Sequence, residues 1–512
     1  MNDDLADGEW HRLHPATPLL RGGLAFIAIA GIVVANLRER LLELVFGGHG
    51  APGDPVDEIV NRGLVPVALV VVLVALLLFV AGFYFSWRMH TFRITDELVE
   101  VRSGILFRTH RKARLDRIQG INISRPLFAR IFGAARLEIT GAGNDSNVQL
   151  AYLSSARADD LRRDLLTLAS GSKVEAPASP AAAGRPATGV LEQRVGEFLA
   201  PELDPSLAQP ESVVKMHPGR LIGSTVLSTA TLMFAAVVIA GICIAAVSRE
   251  FFFLFGAVPF LFGLGSFLVN RIVKSLRYSI AGTPDGVRVG YGLLSTSNET
   301  LPPGRVHSIS ISQQLLWRPF DWWEVKVNRA GKSSAQGAAG QQNTTILPVG
   351  SRAEVFKVLE LVLPGLVAPD ATDETRQVII AGLAKATTDD GFTNSPRRAA
   401  VLRWFSWRRN GFALRPDAVI LRRGAIWREL VVVPAARMQS VSLHQGPLDR
   451  ALRLAAVNVH TVAGPINARL GALDASDASA MFRDVAVTAV AAAAADRTHR
   501  WRSGPKPGAA PA

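Results

Sequence analysis

The sequence predicts an α+β membrane protein with four transmembrane helices in two hairpins and three strand-rich cytoplasmic units, each closed by a C-terminal helix. Three observations carry this reading. Four stretches are long, apolar and uncharged, one pattern of a glycine and two arginines recurs three times, and Lys and Arg crowd the segments that follow each apolar pair. Of 512 residues 49% are hydrophobic and 19% charged, yet 56 Lys+Arg stand against 43 Asp+Glu, a net charge of +13. So much apolar sequence excludes a disordered chain. A single cysteine, Cys243, excludes a disulfide-stapled secreted scaffold and a zinc ribbon.

Residues 1–17 read as a cytoplasmic N-terminus, followed by the first helix pair over 18–86. Gly22 to Leu37 lies between Arg21 and Arg38 and reaches spanning length with Pro18 to Leu20. Leu64 to Phe85 runs 22 residues without a charge, enough at about 1.5 Å per residue to cross about 30 Å of hydrocarbon. Asp3, Asp4, Asp7 and Glu9 ahead of the first run, and no A-x-A-like exit after it, argue against a cleavable signal peptide, so the first helix is expected to stay. Leu221 to Val247 and Phe251 to Asn270, parted by Ser248, Arg249 and Glu250, form the second pair within 218–270. Arg88, Arg93, Arg102, Arg108, Arg111 and Lys112 follow the first pair, and Arg271, Lys274 and Arg277 follow the second. The positive-inside rule then puts both termini in the cytoplasm of a multi-pass protein of the inner (cytoplasmic) membrane.

Three segments starting at Phe92, Tyr278 and Phe412 are copies of one another. Gly104, Arg117 and Arg130 recur as Gly292, Arg305 and Arg318 and as Gly424, Arg437 and Arg450, every gap being thirteen residues. Alternation puts Ile121 and Ile123, Ile309 and Ile311, and Val441 and Leu443 on matching strand faces. Ser154 can cap a closing helix carrying Leu161, Leu165 and Leu168 on one side. The units are expected over 87–170, 271–366 and 398–492, with an Ala/Pro-rich linker at 171–217, a polar linker at 367–397 and a disordered tail at 493–512. His14-Pro15 and His217-Pro218 precede the two helix pairs. The block of His-Pro, two spans and one unit thus repeats, and the third unit lacks spans.

Leu115 to Ile121 (LDRIQGI), Arg130 to Ile139 (RIFGAARLEI) and the closing Leu153 to Leu168 helix resemble the bacterial PH-like domain of membrane-anchored proteins. The whole chain, from about 11 to 490 without its linkers, resembles the YdbT-type membrane proteins. The second copy has Arg305-Val-His307 and the third Arg437-Met-Gln439 where the first has Arg117-Ile-Gln119. The resemblance implies split, bent β-barrels capped by a C-terminal helix and held at the cytoplasmic membrane, with no known catalytic centre. The related eukaryotic fold binds phosphoinositides or protein segments, and function does not travel with fold.

No phosphate-binding loop, HExxH or GxSxG motif is present. His90 and His110 have no second ligand at metal spacing, and Asp159-Asp160 suits a helix N-terminus better than acid–base chemistry. Neither an enzyme nor a cofactor is expected. Residues 88–136 hold eleven Lys and Arg against four Asp and Glu, 271–329 eight against four, and 397–453 twelve against three. Anionic phospholipid headgroups attract such segments by about 1 kcal/mol per Lys or Arg near the surface. The repeated Arg117, Arg130, Arg305, Arg318, Arg437 and Arg450 are candidates either for contacts that hold the fold or for headgroup and partner contacts. Arg398 to Arg409, with Trp404, Phe405 and Trp407, stands where a third helix pair would, and reads as a segment lying on the bilayer or as a packing arm of the third unit. Aromatics do not interleave with Lys as a stacking platform would, so nucleic acid is not expected. The expected function is an interaction scaffold for another membrane protein at the inner leaflet. The alternatives are an anionic-lipid sensor and a component of an export or stress-resistance system.

Overall fold

The computed structural model describes residues 7–14, 17, 87–104, 108–141, 147–170, 214–248, 252–283, 286–293, 295–302, 304–330, 344–367, 373–387 and 390–495, with single positions between 66 and 85. Gly22 to Leu37, the 171–213 stretch and the tail beyond 495 lie outside it.

Unit one pairs a four-stranded antiparallel sheet, β1 (His11–Arg12), β2 (Thr91–Ile94), β3 (Leu98–Ser103) and β4 (Thr109–Arg114), with a second sheet of β5 (Ile118–Arg125), β6 (Ala134–Gly141) and β7 (Val148–Ser154). Helix α1 (Ser155–Ser170) closes it. Phe92, Ile94, Ile121, Ile123, Leu137 and Ile139 meet Leu161 and Leu165 of α1 in one core. Residues 11–13 belong to this unit, because β1 pairs with β2 and Leu13 is buried.

Unit two repeats the plan with β8 (Val214–Lys215), β9 (Ser279–Thr283), β10 (Gly286–Tyr291) and β11 (Thr296–Leu301), then β12 (Val306–Gln313), β13 (Trp323–Arg329) and β14 (Thr345–Gly350). Between β8 and β9 the chain runs out through α2 (Pro218–Val226) and α3 (Thr229–Ser248) and returns through α4 (Phe252–Ser275). Helix α5 (Arg352–Val362) closes the unit behind a capping box in which the Ser351 and Glu354 side chains satisfy each other's backbone donors. Helix α6 (Asp373–Leu383) follows. The stretch expected to be a polar linker therefore carries core, since Val378, Ile379 and Leu383 are buried. One helical face of small and apolar residues is easily lost among Asp and Thr when the sequence is read alone.

Unit three holds β15 (Thr393–Asn394), β16 (Gly411–Leu414), β17 (Ala418–Arg423) and β18 (Arg428–Pro434), then β19 (Ser440–His444), β20 (Leu454–His460) and β21 (Ala468–Asp474), closed by α7 (Ala475–Ala495). Where unit two sends out its helices, between first and second strands, unit three has only the short turns of 397–409.

The units are fused edge to edge. Strand β5 pairs with β11, and β12 with β18, so two seven-stranded sheets run across the unit boundaries. Arg125 lies opposite Thr296 in the first joint and Gln313 opposite Arg428 in the second. These are the same positions of the repeat, so both joints share one register. The recurring glycine sets the turn ahead of the docking strand. Gly292 and Gly424 have φ of +106° and +81°, and a Cβ at either would run into the carbonyl of Ser295 or Trp427.

Among the described residues one helix, α7, has the length and hydropathy to cross a membrane, and α2 with residues 229–244 of α3 makes a second, bent by 48°. Helix α7 is committed elsewhere, because Ala478, Met481 and Val485 are buried against the sheets of unit three. Helix α3 is apolar on every side and exposed. Ile239 is 60% and Val247 87% accessible.

Candidate functional site

The second repeated arginine follows the fifth strand of each unit, and in units one and two it reaches across the joint. Arg130 donates from Nη1 to the carbonyl of Leu293 at 3.1 Å. Arg318 donates to the carbonyls of Ala425 and, at 2.8 Å, Ile426. Each acceptor directly follows the repeated glycine turn of the next unit, so the guanidinium of one copy clamps the glycine turn of the next. A charged donor on backbone carbonyls contributes about 1.5–3 kcal/mol. A second couple recurs beside it. Ser297 Oγ donates to Asn122 Oδ1 at 2.7 Å, and at the same repeat positions Ser310 Oγ donates to Glu429 Oε1 at 2.8 Å.

The first repeated arginines lie at the strand-to-strand turns along the same seam. Arg305 donates to the carbonyl of Asp116 in unit one at 3.1 Å. Burial, and then the charge of Arg437, lower its pKa. His307 sits beside both arginines, and burial followed by the charges of Arg437 and Arg305 holds its pKa down at about 4. Arg117 and Arg450 are exposed, and Arg437 is half-buried.

The seam meets the apolar helices α2 and α3 at their shared base. The backbone N–H of Thr229, first residue of α3, donates to Gln314 Oε1 at 2.8 Å, and Trp427 Nε1 donates to Thr229 Oγ1 at 3.1 Å. Trp317 Nε1 reaches the carbonyl of Ser224 in α2 at 3.1 Å, and Arg220 of α2 pairs with Glu354 of α5. Around this base Leu315, Leu316, Phe320, Ile426 and Trp427 are exposed.

The two candidate tryptophans part company. Trp404 is 70% exposed beside exposed Val401 and Phe405, whereas Trp407 packs inward on Ala399, Leu454 and Ala472. Much of the positive charge of unit three is also internal. Arg422 is fully buried, with Asp390 at 2.6 Å and the Phe392 ring 4.2 Å away. Arg409 is buried on the carbonyls of Gly382 and Ala384, and its pKa falls to about 9 through burial first and then the charge of Arg422. Composition alone counted both as surface charge. Asp390 stands 32 residues away from Arg422 in sequence, so no local pattern announced the pair.

His90 is buried and His110 lies exposed beside Glu100. Among the described residues no group of His, Cys, Asp or Glu could hold a metal ion.

Three split barrels closed by helices, fused in series and tied to apolar helices, define a triplicated PH-type protein. Residues 50–169, 221–365 and 361–487 each match the Bacterial PH domain family, and the chain belongs to that family as a membrane-associated protein of the YdbT type. It is 22% identical over 307 residues to the transmembrane protein YdbT of Bacillus subtilis (strain 168), a match covering 56% of this chain and 58% of that protein. The chain thus spans little more than half of that relative's length. No solved structure matches the chain.

Proposed function

We propose that the chain is a non-enzymatic, multi-pass protein of the cytoplasmic membrane. In this reading it has four spans in two hairpins and both termini in the cytoplasm, and its three PH-type units form one interaction scaffold for another membrane protein at the inner leaflet. The observation that carries this is the serial joint, in which Arg130 and Arg318 clamp the next unit and so are committed to building a continuous platform. The all-round apolar exposure of α3 and its tie to Trp427 and Gln314 support seating that platform on the bilayer. The position of 397–409, equivalent to a helix pair, supports Trp404 as a foot in the interface.

Two measurements test this. With Cys243 replaced by Ala, a membrane-impermeant thiol reagent should label a cysteine at Gly50 from outside and spare cysteines at Ala182 and Ser503. Outside labelling at Ala182 would overturn the topology. A photo-crosslinking residue at Trp404 in intact membranes should give a discrete protein adduct. Adducts with anionic phospholipid alone would move the reading to a lipid sensor, which exposed Arg117 and Arg450 favour.

A further inference from the structure

The first two units each present their fifth strand to the fourth strand of the next unit. Unit three has the same fifth strand, β19, and among the described residues it pairs only with β20. Its outer edge is open. Ser440, Ser442, Leu443 and His444 are exposed, and so is Arg450, the equivalent of the clamping Arg130 and Arg318. A sheet edge is normally protected by charge, proline or a covering element, and β19 carries neither Lys, Arg nor Pro. We propose that this edge, with Arg450, accepts the fourth strand of a PH-type unit from a separate protein, in the register of the two internal joints.

The register transfers position by position. Arg125, Ser124 and Asn122 face Thr296, Ser297 and Glu299 in the first joint, so their equivalents Gln445, His444 and Ser442 would face the corresponding positions of the incoming strand. Backbone pairing supplies affinity in such strand addition, and alternate side chains supply selectivity.

Charge separates a foreign unit from a second copy of this chain. Both strands that dock internally carry a carboxylate, Glu299 in β11 and Glu429 in β18. The chain's own spare fourth strand, β4, reads THRKAR and carries none. In this register Arg111 and Lys112 of β4 would stand where β11 has Glu299 and Thr300, opposite Ser442 and Val441 on an edge flanked by Arg437 and Arg450, and charges on β4 are the usual device that keeps an edge unpaired. The incoming strand is therefore acidic or hydroxylic, as β11 is.

This deepens the scaffold reading by naming the surface and the partner's chemistry, and it rests on that reading. The test uses the full chain in detergent with Cys243→Ala and His444→Cys, and a synthetic peptide of its own residues 292–302 carrying Ser297→Cys. The expected result is a disulfide at His444→Cys and little at Leu443→Cys. Arg450→Ala should weaken capture about tenfold, and Glu299→Lys in the peptide should abolish it. Equal capture at both cysteine positions would overturn the proposal. So would equal capture of peptide 104–114 carrying Thr109→Cys, which would hand the edge to a second copy. Crosslinks at Trp404 that persist while β19 refuses the peptide would sink this inference and leave the scaffold reading standing. Peptide capture without a protein adduct at Trp404 would do the reverse.

Discussion

The two internal joints share one register and differ in chemistry. In the first, β5 meets β11 through Asn122, Ser297, Glu299 and Thr300, and Glu299 is buried in a bidentate pair with Arg329 at 2.8 and 3.3 Å. In the second, Ile309 and Ile311 lie opposite Val432 and Leu430, all fully buried. Backbone pairing and the arginine clamp fix how the units join, and the side chains decide what a lesion costs. A polar joint fails when one partner leaves another buried and unsatisfied, whereas an apolar joint loses stability in proportion to the volume removed.

The largest effect should come from Glu299→Ala. It leaves the Arg329 guanidinium buried without this carboxylate, and breaking such a pair costs about 4 kcal/mol. Thermal unfolding of the detergent-solubilised protein should show it, and Arg329→Met combined with Glu299→Leu should recover much of the loss. An unchanged unfolding temperature for Glu299→Ala would break the contrast between the joints. Leu430→Ala in the second joint should cost about 3 kcal/mol through lost burial and the cavity left behind, and Leu430→Met well under half of that. If the conservative change hurt as much as alanine, the second joint would not be the graded one.

The clamp is common to both joints, so Arg130→Ala and Arg318→Ala should each cost about 2 kcal/mol. Arg450→Ala, at the open third position, should leave stability unchanged. Protease sensitivity of the unit boundaries measures this, and a loss at Arg450 equal to the others would show that it already has an internal partner.

The smallest effect is one of pH and belongs to the second joint. His307 stays neutral in the fold down to about 4, against an ordinary value of 6.5, through burial and the nearby charges of Arg437 and Arg305. The unfolded chain takes up a proton first. Stability is therefore full above about pH 6.5 and declines as pH falls towards 4. His307→Gln should flatten that slope, and an unchanged slope would place the pH dependence elsewhere.

Much of the architecture was legible because it is local or repeated. Uncharged runs announce helices that need an apolar surround, period two announces Ile121 and Ile123, and equal spacing of Gly104, Arg117 and Arg130 with their copies announces three units of one fold. The same spacing that revealed the arginines hid their work, for Arg130 acts on Leu293 and Arg318 on Ala425 and Ile426, in the next copy. The candidate surface was partly misread for a similar reason. Trp404 and Trp407 look alike in a basic aromatic segment, yet one is exposed and the other packed, and Arg409 and Arg422 counted as surface charge until Asp390 and the carbonyls of 382 and 384 were found around them.

By itself the sequence determined that the chain is apolar, basic and threefold, because composition and periodicity act through neighbours a few residues apart. Only the tertiary structure decided that the units are joined strand to strand, that α6 belongs to the core, and that β19 is left as the open end of the series. The joints rest on pairing between residues more than a hundred positions apart, where closing the intervening chain costs entropy that grows only slowly with its length. The side chains at the distant contact then select the partner, and no local pattern can name it.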